Sequence, residues 1–233
     1  MEKEKTYRYE THLHTCEISK CAKAPAEEQA RVYAEHGYAG VIITDHFLNG
    51  NTTVPKTDIT WEEQATMFCR GYEIAKETGD KLGLDVFFGF EYGCKGADFL
   101  TYGLSPEFLL THPETITLPF NEYSQFVHEN GGILIHAHPF RESRSGTIQL
   151  MPSLVDGVEV INAGKSDFLN NMARIYADSY ELMHFAGSDN HSGKWGKKRA
   201  GIETKRRAES MEDLVTMIKA HEFEIFTDEW NNE

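Results

Sequence analysis

The sequence predicts an α/β fold, a distorted (β/α) barrel of about seven strands, with a metal site at the C-terminal ends of those strands. Three observations predict it. Strand-like apolar runs alternate with helical stretches along most of the 233 residues, as in repeated βα units around a mostly parallel sheet. Two of these runs, AGVIIT at 39–44 and GGILIH at 131–136, have the apolar character of strands buried on both faces. Residue types that bind metals then recur just after such runs: His12 and His14, Asp45 and His46, Glu91, His138, and Asp189 with His191. In a barrel the C-terminal strand ends meet on one rim, whereas an open sheet gathers them only near a switch point.

Each element has its own signal. Residues 7–12 alternate and end in the first His. Residues 25–36 read as a helix, with Pro25 in the first turn, Glu27 and Glu28 near the N-terminus and Gly37 after it. Residues 39–44 form a buried strand. Thr60 and Glu63 form a capping box that opens a long helix ending near Gly79. Strands follow at 85–91 and 99–103, a helix at 121–130 closed by Gly131 and Gly132, and a strand at 133–138 ended by Pro139. Residues 157–162 are a strand, 167–180 a helix, 184–187 a strand and 202–204 a short strand. Ser210 and Asp213 open a last helix, and 223–227 is a final strand.

Composition narrows the function classes. The hydrophobic content of 40% and the length suit one domain, and no linker-like stretch or repeat divides it. The formal net charge of -14 disfavours long nucleic acid and anionic membrane as partners. The basic stretch from Lys194 to Arg207 is expected to be mostly solvated surface. No run approaches a membrane span, and the first ten residues lack the apolar stretch of a signal peptide. Four cysteines are too sparse for a disulfide scaffold, so a cytoplasmic protein with free thiols is expected.

The candidate ligands lie in short motifs. On a strand, residues i and i+2 share a face, so His12 and His14 can grip one ion together. Glu91 ends a buried run, where a lone carboxylate is costly without a cation. The motifs are Thr-His-Leu-His-Thr at 11–15, Thr-Asp-His at 44–46, Gly-Phe-Glu at 89–91, Ala-His-Pro at 137–139 and Ser-Asp-Asn-His at 188–191. In order and spacing this series resembles the polymerase-and-histidinol-phosphatase (PHP) family of metal-dependent phosphoesterases. The resemblance spans residues 10 to 191.

The resemblance implies a distorted seven-stranded barrel with a trinuclear centre of divalent zinc, manganese or iron. His12, His14, Glu91 and Asp189 would hold one ion, Glu91 and His138 a second, and His46 and His191 a third. Asp45 would orient a ligand, act as a further ligand or serve in proton transfer, with about equal weight on a simple turn-capping role. Two positions depart from the family pattern. Shortly after His14, where members carry His or Asp, this chain has Ser19 and Lys20, so Glu17 is the first candidate and Cys16 or Cys21 the next. Shortly after Glu91, where members carry His, it has Asp98, which would harden the site towards manganese or iron. If neither position is filled, two ions are expected.

The expected chemistry is hydrolysis of a small-molecule phosphomonoester by a metal-bridging hydroxide. Asp45, His136 and His191 are the candidates for acid–base help. His136 alternates with His138 and is expected to share its face. Arg141, Arg144, Lys165 and Lys194, in that order, are the candidates to hold the phosphate. Glu159 is expected to make a structural hydrogen bond, and Trp195 to pack. The alternatives are a nucleotide phosphodiesterase or exonuclease, and a non-catalytic domain that holds metal for stability or partner binding. With no polymerase module in the chain, an autonomous phosphatase is the leading expectation.

Overall fold

A computed structural model describes residues 5–141, 146–194 and 198–229. They form one nine-stranded sheet in the order β7-β6-β5-β4-β3-β2-β1-β8-β9. The strands are β1 (Tyr7–Leu13), β2 (Gly40–Ile43), β3 (Asp85–Cys94), β4 (Ala97–Tyr102), β5 (Ile133–Ala137), β6 (Gly157–Asn162), β7 (Met183–Gly187), β8 (Lys198–Thr204) and β9 (Glu224–Glu229). Strands β1 to β7 follow chain order and curl into the distorted barrel. A parallel bridge between Leu13 and Asn190 joins the end of β1 to the segment after β7. The beginning of β1 pairs instead with β8, antiparallel, and β9 extends that edge as a hairpin partner of β8.

The sheet is less parallel than the βα pattern predicts. Strand β4 runs antiparallel to both β3 and β5. The cause is local: β3 and β4 are joined by a two-residue turn, Lys95-Gly96, with both residues at positive φ (51° and 90°), which suits a tight hairpin. The reversal puts the beginning of β4 on the rim where the other strands end, so Asp98 reaches the site from a strand's N-terminal end.

The helices are α1 (Ala26–Glu35), α2 (Trp61–Phe68), α3 (Arg70–Leu82), α4 (Pro106–Thr111), α5 (Phe120–Glu129), α6 (Asp167–Ser179) and α7 (Met211–Lys219). The capping box at Thr60 and Glu63 is present. The single long helix predicted from it is divided at Cys69, and α4, capped by Ser105, is an addition to the predicted elements. No described helix is long and apolar enough to cross a membrane.

The apolar core leaves one end of the barrel for polar groups. Tyr9, Ile42, Leu100, Tyr102, Ile135 and Phe185 pack together with Leu214 and Ile218 of α7. Outside the barrel, Leu13, Val41 and Ile43 pack on Ala26, Ala30 and Tyr33 of α1, and Val158 and Val160 on Ala173 and Ala177 of α6. The buried polar residues His12, His14, Glu91, Glu159 and His138 lie at the other end.

Candidate metal centre

The first ligand pair is aimed by a bulge. The β1–β2 register shifts between Glu10 and Leu13, so the inward phase set by Tyr9 is reset to His12 and His14. The buried Glu10 carboxylate stabilises the irregularity. Its Oε1 accepts the Thr11 and His12 N–H groups at 3.0 and 2.9 Å and the Ser188 N–H at 2.9 Å. Its Oε2 accepts from Tyr33 Oη at 2.8 Å and from the Ser188 hydroxyl. One carboxylate thus ties the bulge to the strand segment that carries Asp189.

Two other candidate ligands sit on left-handed backbone just past their strands, His138 at φ 29° and Asp189 at φ 54°. Such conformations cost about 1–3 kcal/mol for non-glycine residues and persist where the surroundings hold them. They turn both side chains back over the barrel mouth.

Four overlapping groups of donors result among the described residues, one of them His12, His138 and Asp189. His12 Nε2 is 3.1 Å from His14 Nε2, 3.6 Å from Glu91 Oε1 and 3.5 Å from Asp189 Oδ1. His14 Nε2 is 3.6 Å from Glu91 Oε2 and 3.4 Å from Asp189 Oδ1. Tetrahedral ligands at about 2.1 Å from an ion stand roughly 3.4 Å apart, so this spacing suits one cation. Glu91, Asp98 and His138 form a second group, with His138 Nε2 at 3.1 Å from Glu91 Oε1. His14, His46 and His191 form a third.

Glu91 belongs to two of these groups and touches the His14, His46 and His191 group through His14 and His46. Its Oε2 is buried, has no hydrogen-bond donor among the described residues and lies 2.5 Å from His46 Nδ1 without hydrogen-bond alignment. A buried carboxylate oxygen left in this state fits a cation. Burial alone would raise the Glu91 pKa, but His46, His12 and His138 outweigh it and hold the carboxyl well below its usual range. Asp189 is likewise held well below its usual range, against burial, by His12, His14, His138 and Lys165. Burial pushes His14 down to about 3, which keeps its imidazole neutral, the form that binds metals.

Further hydrogen bonds orient the rings. Glu159 Oε1 meets His12 Nδ1 at 2.9 Å, while Oε2 accepts the His138 N–H at 2.9 Å and the Asn162 amide at 2.8 Å. Gly187 permits this approach: a Cβ there would sit 2.6 Å from His12 Cβ and 2.9 Å from Glu159 Oε1. His14 Nδ1 meets Ser19 Oγ at 3.0 Å, and Ser19 donates to Asp45 Oδ1 at 2.7 Å. His191 Nδ1 meets the Asp189 carbonyl at 2.8 Å. These contacts leave the Nε2 atoms of His12, His14 and His191 turned to the centre, as expected for histidines that coordinate metal. The structural hydrogen bond expected of Glu159 is present, and it serves two candidate ligands together.

The geometry changes several expectations. Glu17 turns away: its carboxylate accepts the Ala26 N–H at 3.0 and 3.2 Å, at the first turn of α1. Cys21, the lower-ranked alternative with Cys16, lies beside the other donors, with Sγ 3.2 Å from His46 Nε2 and 3.1 Å from His191 Nε2. Asp45 accepts from Thr15 N (2.7 Å), Thr15 Oγ1 (2.6 Å) and Ser19 Oγ, and it acts on His14 only through Ser19. Its carboxylate is therefore committed to orientation and has no free access to the cleft for proton transfer.

His136 does not share the site with His138. Its ring stacks on Phe99 at 4.7 Å and meets Tyr176 edge-on at 5.8 Å, in the layer between barrel and helices. The left-handed turn at His138 breaks the alternation that would have kept the two together. Both His136 ring nitrogens lack a hydrogen-bond partner among the described residues, and burial pushes the pKa down to about 3. His136→Phe is therefore expected to stabilise the fold by about 1 kcal/mol. The folded protein refuses a proton that the unfolded chain accepts near the ordinary imidazole value of 6.5. The His136 contribution to stability should thus fall as pH drops from there towards 3, and the variant should lack that share of the acid-side loss. Urea denaturation at neutral and acidic pH checks both; equal pH dependence of the two proteins would contradict it.

A cleft of about 620 Å³ opens over the centre and is lined by Cys21, His46, Glu91, Asp98, Arg141 and Lys165 among others. Arg141 pairs with Asp98, and Lys165 Nζ lies 2.7 Å from Asp189 Oδ2. Lys194 is exposed and does not line the cleft. It follows the last turn of the Ser-Asp-Asn-His segment, whose hydrogen bonds through Ser192 point it outwards. Arg144 and Trp195 lie outside the described residues.

The barrel fold is shared with solved proteins that include PHP-like metal-dependent phosphoesterases. A two-domain protein from Bacteroides vulgatus containing a predicted PHP-like metal-dependent phosphoesterase aligns with a TM-score of 0.69 at 14% identity. That alignment covers 95% of this chain but only 65% of the other, so the chain spans about two thirds of that protein. PsfC from Pseudomonas syringae aligns with a TM-score of 0.64 at 13% identity, over 97% of this chain and 92% of that one. A putative metal-dependent phosphoesterase from Bifidobacterium adolescentis gives 0.55 at 15% identity, over 82% and 91%. No family model and no curated protein matches the sequence.

Proposed function

We propose that the chain is a metal-dependent phosphoesterase that hydrolyses a small-molecule phosphomonoester at a centre of up to three divalent ions. The observation that carries this is the buried Glu91 carboxylate, which belongs to two of the candidate donor groups and faces His12, His14, His46 and His138 together. The names of the Bacteroides and Bifidobacterium neighbours support the reaction class. The cleft volume suits a small ligand better than a polymer.

In this reading His12, His14, Glu91 and Asp189 hold one ion, Glu91, Asp98 and His138 a second, and His46 and His191 a third. Bound ions of this kind lower the pKa of a shared water and polarise a phosphoryl oxygen. The chain's own residues do the rest. Glu159 and the Ser19–Asp45 pair hold His12 and His14 in one orientation, so the donors need no reorganisation on binding. Arg141 offers a planar fork to the phosphate while its partner Asp98 keeps it over the cleft. Lys165 adds a second cationic donor beside Asp189.

The test is metal analysis, followed by assays of the protein reloaded with manganese, zinc or iron. Release of p-nitrophenol from p-nitrophenyl phosphate is expected to be faster than from bis(p-nitrophenyl) phosphate. Faster diester cleavage would favour the phosphodiesterase alternative, and a folded protein that binds metal but cleaves neither would favour the non-catalytic one. Arg141→Ala is expected to raise KM for the monoester about tenfold with little change in kcat, the mark of lost uniform binding. An unchanged kcat/KM would remove Arg141 from the site.

A further inference from the structure

Beside the group of His14, His46 and His191 lies a donor atom of another kind. The Cys21 thiol lies within 3.2 Å of His46 Nε2 and 3.1 Å of His191 Nε2 and lines the cleft. Its place is fixed on both flanks. Before it, the Ser19 N–H donates to Thr15 O at 2.9 Å and the Lys20 N–H to Asn51 O at 2.9 Å. After it, the Lys23 N–H donates to His191 O at 2.7 Å, which holds the loop against the segment carrying His191. Cys16, Cys69 and Cys94 are also free cysteines, so no disulfide competes for the thiol.

A second observation points to a ligand here. The Glu91 oxygen that lacks a hydrogen-bond donor lies on the His46 side, 2.5 Å from His46 Nδ1. The buried carboxylate thus meets the His46 ring at Nδ1 and leaves Nε2 turned to the thiol and His191, the carboxylate–histidine arrangement found behind metal-binding imidazoles. Bond lengths of about 2.0–2.1 Å to nitrogen and 2.3 Å to sulfur put neighbouring tetrahedral donors roughly 3.5 Å apart, close to the spacing seen.

We propose that Cys21 is a thiolate ligand of the ion held by His46 and His191, which makes this subsite a soft, open Cys-His-His site beside two carboxylate-bearing ones. On coordination a sulfur–metal bond forms and the S–H proton leaves to solvent. Thiolate favours zinc or ferrous iron, whereas Glu91, Asp98 and Asp189 also accept manganese. The centre is therefore heterogeneous, with the softer metal confined to the Cys21 subsite. The inference rests on the proposed metal centre but not on the identity of the ester.

Cobalt titration of metal-stripped protein tests it. Wild type is expected to develop a thiolate-to-cobalt charge-transfer band in the near ultraviolet, together with ligand-field bands. Cys21→Ser should lose the charge-transfer band and one equivalent of tightly bound zinc, yet keep ligand-field bands from the remaining ions. Cys21→His should restore the zinc equivalent without the band. Circular dichroism of each variant checks the fold, and the exposed thiol tolerates serine in size. A band equally strong in Cys21→Ser, or cobalt bound by wild type without a band, overturns the assignment of Cys21 alone. Failure of wild type to bind cobalt at all overturns the metal centre with it.

Discussion

Glu91→Gln is expected to reduce turnover by about 10³-fold or more and to lower the bound metal content in more than one subsite. The substitution keeps the shape and removes the charge. Glu91 Oε1 faces His12 at 3.6 Å and His138 at 3.1 Å, while Oε2 faces His14 at 3.6 Å and His46 at 2.5 Å. An amide presents two N–H donors and one oxygen to the same surroundings, so it offers cations one donor atom where the carboxylate offers two. Metal content by mass spectrometry and initial rates at saturating substrate measure the effect. Full metal occupancy with turnover within threefold of wild type would show that Glu91 does not join the subsites.

Glu159→Ala is expected to weaken metal binding by about 10–100-fold, although Glu159 is not among the donors that face the ions. It is buried and holds the His12 ring at 2.9 Å and the His138 backbone at 2.9 Å. Losing it frees the His12 ring to rotate and removes the acceptor that holds the strained His138 backbone in place. Removing one partner of a buried, charge-assisted pair also costs about 3–5 kcal/mol, so the metal-free variant should melt well below wild type. Calorimetric metal titration and thermal denaturation in chelator separate the two effects. A lower melting temperature with unchanged metal affinity would limit Glu159 to a structural role.

Much of the site is legible in the sequence because strand periodicity is simple. His12 and His14 share a face as i and i+2, and Glu91, His138 and Asp189 each follow an apolar run. Where periodicity breaks, the reading fails. The bulge at Glu10 leaves the relation of His12 to His14 intact but resets which face they take relative to Tyr9. The left-handed turn at His138 separates it from His136, which alternation alone had paired with it. Strand β4 is visible as a strand, but its direction depends on the turn at Lys95 and Gly96, and direction decides that Asp98 reaches the rim. Cys21 lies in an irregular loop with no period to read. Glu17 looked the better ligand by residue type, yet its carboxylate is used at the start of α1. Arg144, ranked second for phosphate binding, falls outside the described residues.

The bridge between Leu13 and Asn190 bears on the order of assembly. It joins residues from opposite ends of the seven-strand series, and the metal-facing groups of His12 and Asp189 lie beside it. Contacts this distant in sequence require the loop-closure entropy of the whole intervening chain to be overcome before they form. A growing chain therefore carries His12, His14 and Glu91 long before Asp189 exists to complete their group. An ion held by His12 and Asp189, as proposed, would then act as a clasp on the seam where the first strand meets the seventh.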